Sequence, residues 1–304
     1  MNYAIIGTGA IGGFYGGKLA QAGREVHFLF HSEYEAAVAQ GLRVDSVDGD
    51  FSIRPVRAYR DTHDMPACDV ILVALKTTVN DRLPELLAPI LRPGSLVVLI
   101  QNGLGIEADL ADRLPAHVGV AGGMGFICSN RIGPAHIHHL DYGRLTVGLY
   151  RGDETKCRTF LDELADAGVE TVWAPDLAEA RWRKLVWNIP YNGLSVVLDT
   201  TTEALMAHPS SRALVRSLMI EVQHGAAACG ITIPDTFIDE MLAMTDRMRP
   251  YKPSMRLDYD HRRPMEIEAI YSRPVREART RGVELPRIET LERQLRFIEK
   301  KYLP

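Results

Sequence analysis

Tyr3-Ala4-Ile5-Ile6-Gly7-Thr8-Gly9-Ala10-Ile11-Gly12 opens the chain with a short apolar run, a glycine-rich turn and the start of a helix. The apolar run is strand-sized, and Phe14 to Gln21 beyond it reads as a helix. A G-x-G-x-x-G is weak evidence alone, but between a strand and a helix it becomes informative. Gly7 permits a tight turn, Gly9 lets the backbone approach a pyrophosphate, and Gly12 lets helix and strand pack closely. The helix N-terminus adds unpaired N–H groups and the positive end of a dipole. The motif therefore predicts a dinucleotide held by Gly7, Gly9, Ala10, Ile11 and Gly12.

The segments that follow agree with that start. Val26 to Phe30, Val70 to Leu75, Leu96 to Ile100, Val118 to Gly122 and Leu145 to Leu149 are further strand candidates. Val70 to Leu75 and Leu96 to Ile100 lack polar alternation, as strands buried on both faces of a parallel sheet do. Alternating strands and helices predict a doubly wound α/β domain. From about Ala178 the pattern changes. Arg181 to Leu198, Ser210 to Cys229, Pro234 to Arg247, Pro264 to Arg281 and Glu289 to Lys301 all carry helical periodicity. The reading is a Rossmann-type α/β domain over residues 1–175 and an all-α domain over 176–304, joined near Trp173 to Asp176. A length of 304 residues, more than one core usually fills, fits two domains.

Composition excludes several classes of function. A formal net charge of −4 with scattered Lys and Arg argues against a nucleic-acid or anionic-membrane surface. The apolar runs are strand-sized and too short for a bilayer span. The N-terminal residues show no targeting pattern, and the four cysteines are far apart, which together predict a reducing cytoplasm. His136-Ile137-His138-His139 has only Asp141 at a supporting spacing, so no metal site is expected there.

Cofactor choice is read after the second strand, where an NAD enzyme places an acid roughly 20 residues beyond the motif. Here Phe30-His31-Ser32 precedes the first acid, Glu33. His31 and Ser32 suit a 2′-phosphate, and Lys76, after Val70 to Leu75, adds a cation on the ligand-binding edge. NADP is the expected cofactor.

The helical half carries one unusual face. Lys184, Asn188 and Asn192 recur every four residues and so stack on one side of a helix. Their neighbours Leu185, Val186, Trp187 and Ile189 are apolar. Desolvation lowers a lysine's pKa and suits it to general-acid work near neutral pH. Spacing alone favours a plainer reading, a snorkelling lysine with two capping or surface amides. Pro190 is expected to disturb the helix between the two asparagines.

Taken in order, these features resemble the ketopantoate reductase family over nearly the whole chain. They are Gly7 to Gly12, Lys76, Gln101-Asn102-Gly103, Lys184-xxx-Asn188-xxx-Asn192, and Ser254 followed twelve positions later by Glu266. The resemblance implies NADPH-dependent reduction of a small 2-keto acid on a fold like that of 6-phosphogluconate dehydrogenase. It makes Lys184 the general acid and Glu266 the acceptor of the substrate hydroxyl's hydrogen bond. Ser254, Asn188 and Asn192 would hold the substrate's polar groups. Asn102 and Glu266 would line the junction of substrate and cofactor, and Lys76 would help orient both. Spacing alone does not choose Glu266 over Glu268. Three departures stand out: His31 where the family commonly has Arg, the segment Ile189-Pro190-Tyr191, and extra charge at Arg256, Asp258, His261 and Arg263. The alternatives are a related reductase of another 2-keto acid with NADP or NAD, and an NADPH sensor, which the presence of Lys184 and Glu266 disfavours. Met241, Met244 and Met248 are either core or part of a homodimer surface.

Overall fold

The unbroken apolar runs near Ile5, Leu72 and Val98 become neighbouring strands with both faces buried. The computed structural model describes residues 1–248, 250 and 252–303. Two units divide the chain: Met1–Gln101 with Ile106–Leu177, and Asn102–Gly105 with the remainder from Ala178.

The first unit begins with β1 (Asn2–Ile6), α1 (Ala10–Gln21), β2 (Glu25–Leu29), α2 (Tyr34–Gln40), β3 (Leu42–Ser46), β4 (Phe51–Ile53), β5 (Arg57–Tyr59) and β6 (Val70–Val73). It continues with α3 (Leu83–Leu87), β7 (Leu96–Leu99), α4 (Ile106–Ala111), β8 (Gly119–Gly133), β9 (His136–Arg151), α5 (Glu154–Asp166) and β10 (Thr171–Trp173). Among the described residues these strands form one ten-stranded sheet ordered β4-β3-β9-β8-β7-β6-β1-β2-β5, with β10 also on β9. The run from β8 through β7, β6, β1 and β2 to β5 is parallel, so the C-terminal ends of these strands share one edge. That edge is where doubly wound sheets take their ligands.

Helix α1 packs unusually tightly. A Cβ at Gly12 would lie 2.3 Å from the Gly7 carbonyl oxygen, and one at Gly13 would lie 2.1 Å from Ile137. Glycine costs a helix about 1 kcal/mol per residue relative to Ala, and burial of Phe14, Tyr15 and Leu19 offsets that cost.

Two strand expectations were too short. The runs at 118–122 and 145–149 are parts of β8 and β9, a long antiparallel hairpin. Its outer half lacks apolar runs, and strand pairing rather than local pattern defines it. Within that hairpin His136 pairs with Asp45 at 2.8 Å. Among the described residues no group of three or more His, Cys, Asp or Glu could hold a metal, and no helix is long and apolar enough to cross a membrane.

The second unit holds α6 (Leu177–Val197), α7 (Thr202–Ala207), α8 (Pro209–Ala228), α9 (Asp235–Arg247) and α10 (Ser254–Asp260). A π-helical turn (Glu268–Ser272), α11 (Arg273–Arg279) and α12 (Pro286–Lys300) complete it. Met241, Met244 and Met248 pack half-buried against its core.

Two helix expectations fail here. First, α6 runs unbroken through Pro190. Burial of Trp187, Ile189 and Tyr191 offsets the hydrogen bond that proline cannot donate. The Tyr271 hydroxyl also donates to the Ile189 carbonyl at 3.0 Å. Second, the helix expected from Pro264 starts only near Ile267 and opens with the π turn. There the Arg273 N–H bonds the Glu268 carbonyl. The Ala269 carbonyl, its partner in an α-helix, instead accepts the Leu104 N–H at 2.9 Å.

Candidate active site

In the first unit the site is made of backbone. Gly7 has φ +99°, and a Cβ there would press to 2.8 Å from the Leu75 amide nitrogen. The Thr8 hydroxyl donates to the Leu29 carbonyl at 2.9 Å, tying the turn to β2. Gly9 precedes α1 with no side-chain cap, and a Cβ on it would meet nothing within 4 Å. The hydrogen-bond ladder of α1 begins with the Gly13 N–H on the Gly9 carbonyl at 2.9 Å. The earlier N–H groups, from Ala10 to Gly12, have no partner inside the helix. An open space over Gly9, faced by such donors, fits a pyrophosphate.

Flanking strands supply the side chains of this edge. His31 lies exposed in the turn after β2. Glu33 is turned aside: its carboxylate accepts the Ala135 N–H at 2.9 Å and pairs with Arg131. Lys76 lies half-buried just beyond β6. Gln101, after β7, donates to the Leu75 carbonyl at 2.8 Å and to Asn80 at 2.7 Å. Asn80, Arg131 and Thr8, which brace this edge, gave no local sequence signal of that role, because each acts through a partner distant in sequence.

In the second unit the site is made of side chains. Asn188, buried on α6, donates from Nδ2 to Oδ1 of Asn102 at 3.1 Å. Asn102 in turn points Nδ2 at Oε2 of Glu266, a longer bond at 3.5 Å. Gly103 makes this possible: its φ is +105°, and a Cβ would fall 2.4 Å from that of Ala269. With Leu104 bonded to the Ala269 carbonyl, the loop seats Asn102 beside Glu266. Lys184 lies one turn before Asn188 on α6, half-buried, with Nζ 5.8 Å from the Trp187 ring centre. The Trp187 indole N–H is held by Thr245 Oγ1 at 3.1 Å.

Structure also separates the two glutamates that spacing leaves equivalent. Glu266 is 4% exposed, whereas the Glu268 side chain is 61% exposed and pairs with Arg276 and Arg296. Arg276 and Arg296 hold the Glu268 carboxyl below the usual range against the opposing effect of desolvation, which is the largest single influence.

Asn192 takes a different position from Asn188. Its Oδ1 accepts the Met255 N–H at 3.5 Å, so it anchors the start of α10, where Ser254 stands. The charges after Ser254 pair among themselves. Buried Arg256 donates to the Ser195 carbonyl at 2.9 Å and pairs with Asp260 and Asp199, fastening α10 to the end of α6. Asp258 pairs with Arg263 at 3.1 Å. Tyr271 and Arg256, which brace these elements, gave no local sequence signal of that role.

Comparison with known proteins shows the family and the fold. The model for ketopantoate reductase PanE/ApbA matches residues 3–152, and that for its C-terminal part matches 176–299. The chain belongs to the ketopantoate reductase family. A 2-dehydropantoate 2-reductase of Nostoc sp. is 49% identical, covering 98% of this chain and 95% of its own. The crystal structure of the 2-dehydropantoate 2-reductase of Geobacter metallireducens has a TM-score of 0.94 at 41% identity, covering 97% of this chain and 99% of that one. A D-mandelate dehydrogenase solved with NADH and anilino(oxo)acetate shares the fold, with TM-score 0.87 at 20% identity and 99% of each chain covered. Membership makes the protein an oxidoreductase, and the family's reductases draw on NAD(P).

Proposed function

We propose that the protein reduces 2-dehydropantoate to pantoate with NADPH, with Lys184 as the proton donor. The observation that carries the site assignment is the Asn188–Asn102–Glu266 chain, with buried Asn188 and Glu266 at its ends, which begins one turn from Lys184. The reductase activity is that of the family and of its 49% identical relative.

Bound at the glycine turn, a reduced nicotinamide dinucleotide supplies the hydride. The protein's residues manage the rest. Lys184 holds the proton that passes from Nζ to the substrate's carbonyl oxygen as that oxygen becomes a hydroxyl. Its positive charge stabilises the oxygen while negative charge develops there. Glu266 accepts a hydrogen bond from the nascent hydroxyl, and Asn102 fixes that carboxylate through its amide. Asn188 sets the orientation of Asn102 by filling its acceptor. Ser254, placed by the anchor from Asn192, binds the substrate's carboxylate and polar groups. Lys76 helps orient cofactor and substrate.

The choice of NADPH rests on the β2 edge, where no free acid follows the strand: His31 and Ser32 come first, and Glu33 is engaged by Arg131 and Ala135. A 2′-phosphate meets no uncompensated carboxylate there. The test is absorbance at the NADPH band with 2-dehydropantoate and NADPH or NADH in parallel. We expect fast oxidation of NADPH, and with NADH a kcat/KM about 10-fold or more lower. Equal use of both cofactors would overturn the NADPH assignment. Oxidation of neither would overturn the substrate and point to another 2-keto acid.

A further inference from the structure

Resting on the NADPH reading above, we infer that Arg60 is the cation that recognises the cofactor's 2′-phosphate, in place of a basic residue at position 31. The parallel pairing of β2 and β5 runs to Leu29 opposite Tyr59, and the Phe30 N–H bonds the Tyr59 carbonyl at 2.9 Å. Arg60 and His31 therefore leave adjacent strands at the same C-terminal edge, about 5 Å apart from strand to strand. This edge lies beside β1 and its glycine turn, on the side away from β6 and Lys76. A dinucleotide whose pyrophosphate sits on that turn carries its adenosine half toward β2.

The Arg60 side chain is prepared for such a ligand. Its guanidinium carbon lies 4.7 Å from the centre of the Tyr34 ring, over the first residue of α2. Its ionic partner is Glu35, and both side chains are largely exposed, 59% and 78%. An exposed pair of this kind contributes little, so a phosphate dianion, which takes two parallel hydrogen bonds from a guanidinium, displaces it readily. Arg131 is a second cation near this turn, and it is committed. Its partner Glu33 is only 13% exposed and also accepts the Ala135 N–H. Releasing Arg131 would leave a half-buried carboxylate uncompensated. Arg60 is thus a permanently charged group on this edge whose partner is replaceable.

The experiment is calorimetric titration of the full chain with adenosine 2′,5′-bisphosphate and, separately, adenosine 5′-monophosphate. For Arg60→Ala we expect affinity for the bisphosphate to fall about 10-fold or more, as for a lost charge-assisted bond, with 5′-monophosphate affinity within about two-fold. Adding His31→Arg to that variant should restore the preference, and Glu35→Gln alone should tighten the bisphosphate. An Arg60→Ala protein that keeps the wild-type ratio of the two affinities overturns the inference and spares the NADPH reading. A wild type that binds both ligands equally overturns both.

Discussion

In the function proposed above, the glycine turn after β1 and the amide chain around Glu266 solve the same problem, holding a polar ligand, with opposite materials. At the turn the donors are backbone N–H groups, and the glycines act by lacking side chains: a Cβ on Gly12 would strike the Gly7 carbonyl at 2.3 Å. Around Glu266 the groups are three side chains from sequence positions 86 and 78 residues apart, Asn102 to Asn188 and Asn188 to Glu266. A backbone site is written in ten consecutive residues and holds charge without titrating. A side-chain site can move a proton, at the cost of assembly over long range. On the proposed reading, the division places binding where the chain is local and chemistry where it is not.

The sharpest way to break this comparison is Lys184→Ala. If the helical unit supplies the proton, turnover should fall by roughly 100-fold or more, while NADPH affinity, measured by fluorescence titration, should stay within about two-fold. A variant with near-normal turnover would remove chemistry from this unit. A variant that loses NADPH binding in parallel would show that the two tasks are not divided as described.

The same contrast explains what the sequence disclosed. The strand–turn–helix at Ile6 to Phe14 was readable because Gly7 and Gly12 answer to backbone geometry or to each other, although Gly13 answers to distant Ile137. The stacking of Lys184, Asn188 and Asn192 was readable too, since helical period is local. Which glutamate belongs with them was not. Glu266 and Glu268 are two residues apart, and the choice depends on Leu104 taking the Ala269 carbonyl and shifting Arg273 onto Glu268. That π turn hides Glu266 and leaves Glu268 outside with Arg276 and Arg296. Pro190 shows the converse: the local rule broke a helix that burial in the core keeps whole. The outer half of the β8–β9 hairpin was likewise invisible, because its partners, not its pattern, make it a strand.

A second comparison sharpens the point at Glu266 itself. Glu266→Gln keeps the size of the side chain and an acceptor for Asn102, and removes only the negative charge. We expect kcat/KM with 2-dehydropantoate to fall about 10- to 100-fold. Glu268→Gln should change it by less than about two-fold, since exposed ion pairs are worth about 0–1 kcal/mol. Equal effects from the two variants would mean that burial does not distinguish them functionally, and the side-chain site would lose its defining member.

The smallest effect expected concerns the first unit, where pH should act on stability rather than on the proton transferred. His139 on β9 is fully buried, with its ring 4.4 Å from that of Phe14 on the glycine helix. Its Nε2 faces the Tyr142 carbonyl at 2.9 Å and so carries the hydrogen, while Nδ1 accepts from the Ser46 hydroxyl at 2.9 Å. Desolvation is the main cause of a pKa below the usual 6.5. The Tyr142 backbone, Asp48 and the Asp141 backbone oppose it, and Lys18, the smallest influence, lowers it a little further. The unfolded chain thus takes up a proton at a higher pH than the folded one. This contribution to stability is complete above about pH 6.5 and is lost as pH falls through the lowered folded value. In His139→Gln, neutral-pH stability should drop by about 1 kcal/mol for the weakened hydrogen bonding. Urea unfolding from pH 7.5 to 5 should then show a shallower loss than in the wild type, a difference bounded by about 1.4 kcal/mol per pH unit for one proton. Parallel curves would mean that His139 is not the group whose protonation the fold resists. A steeper curve in the variant would reverse the sign of the argument.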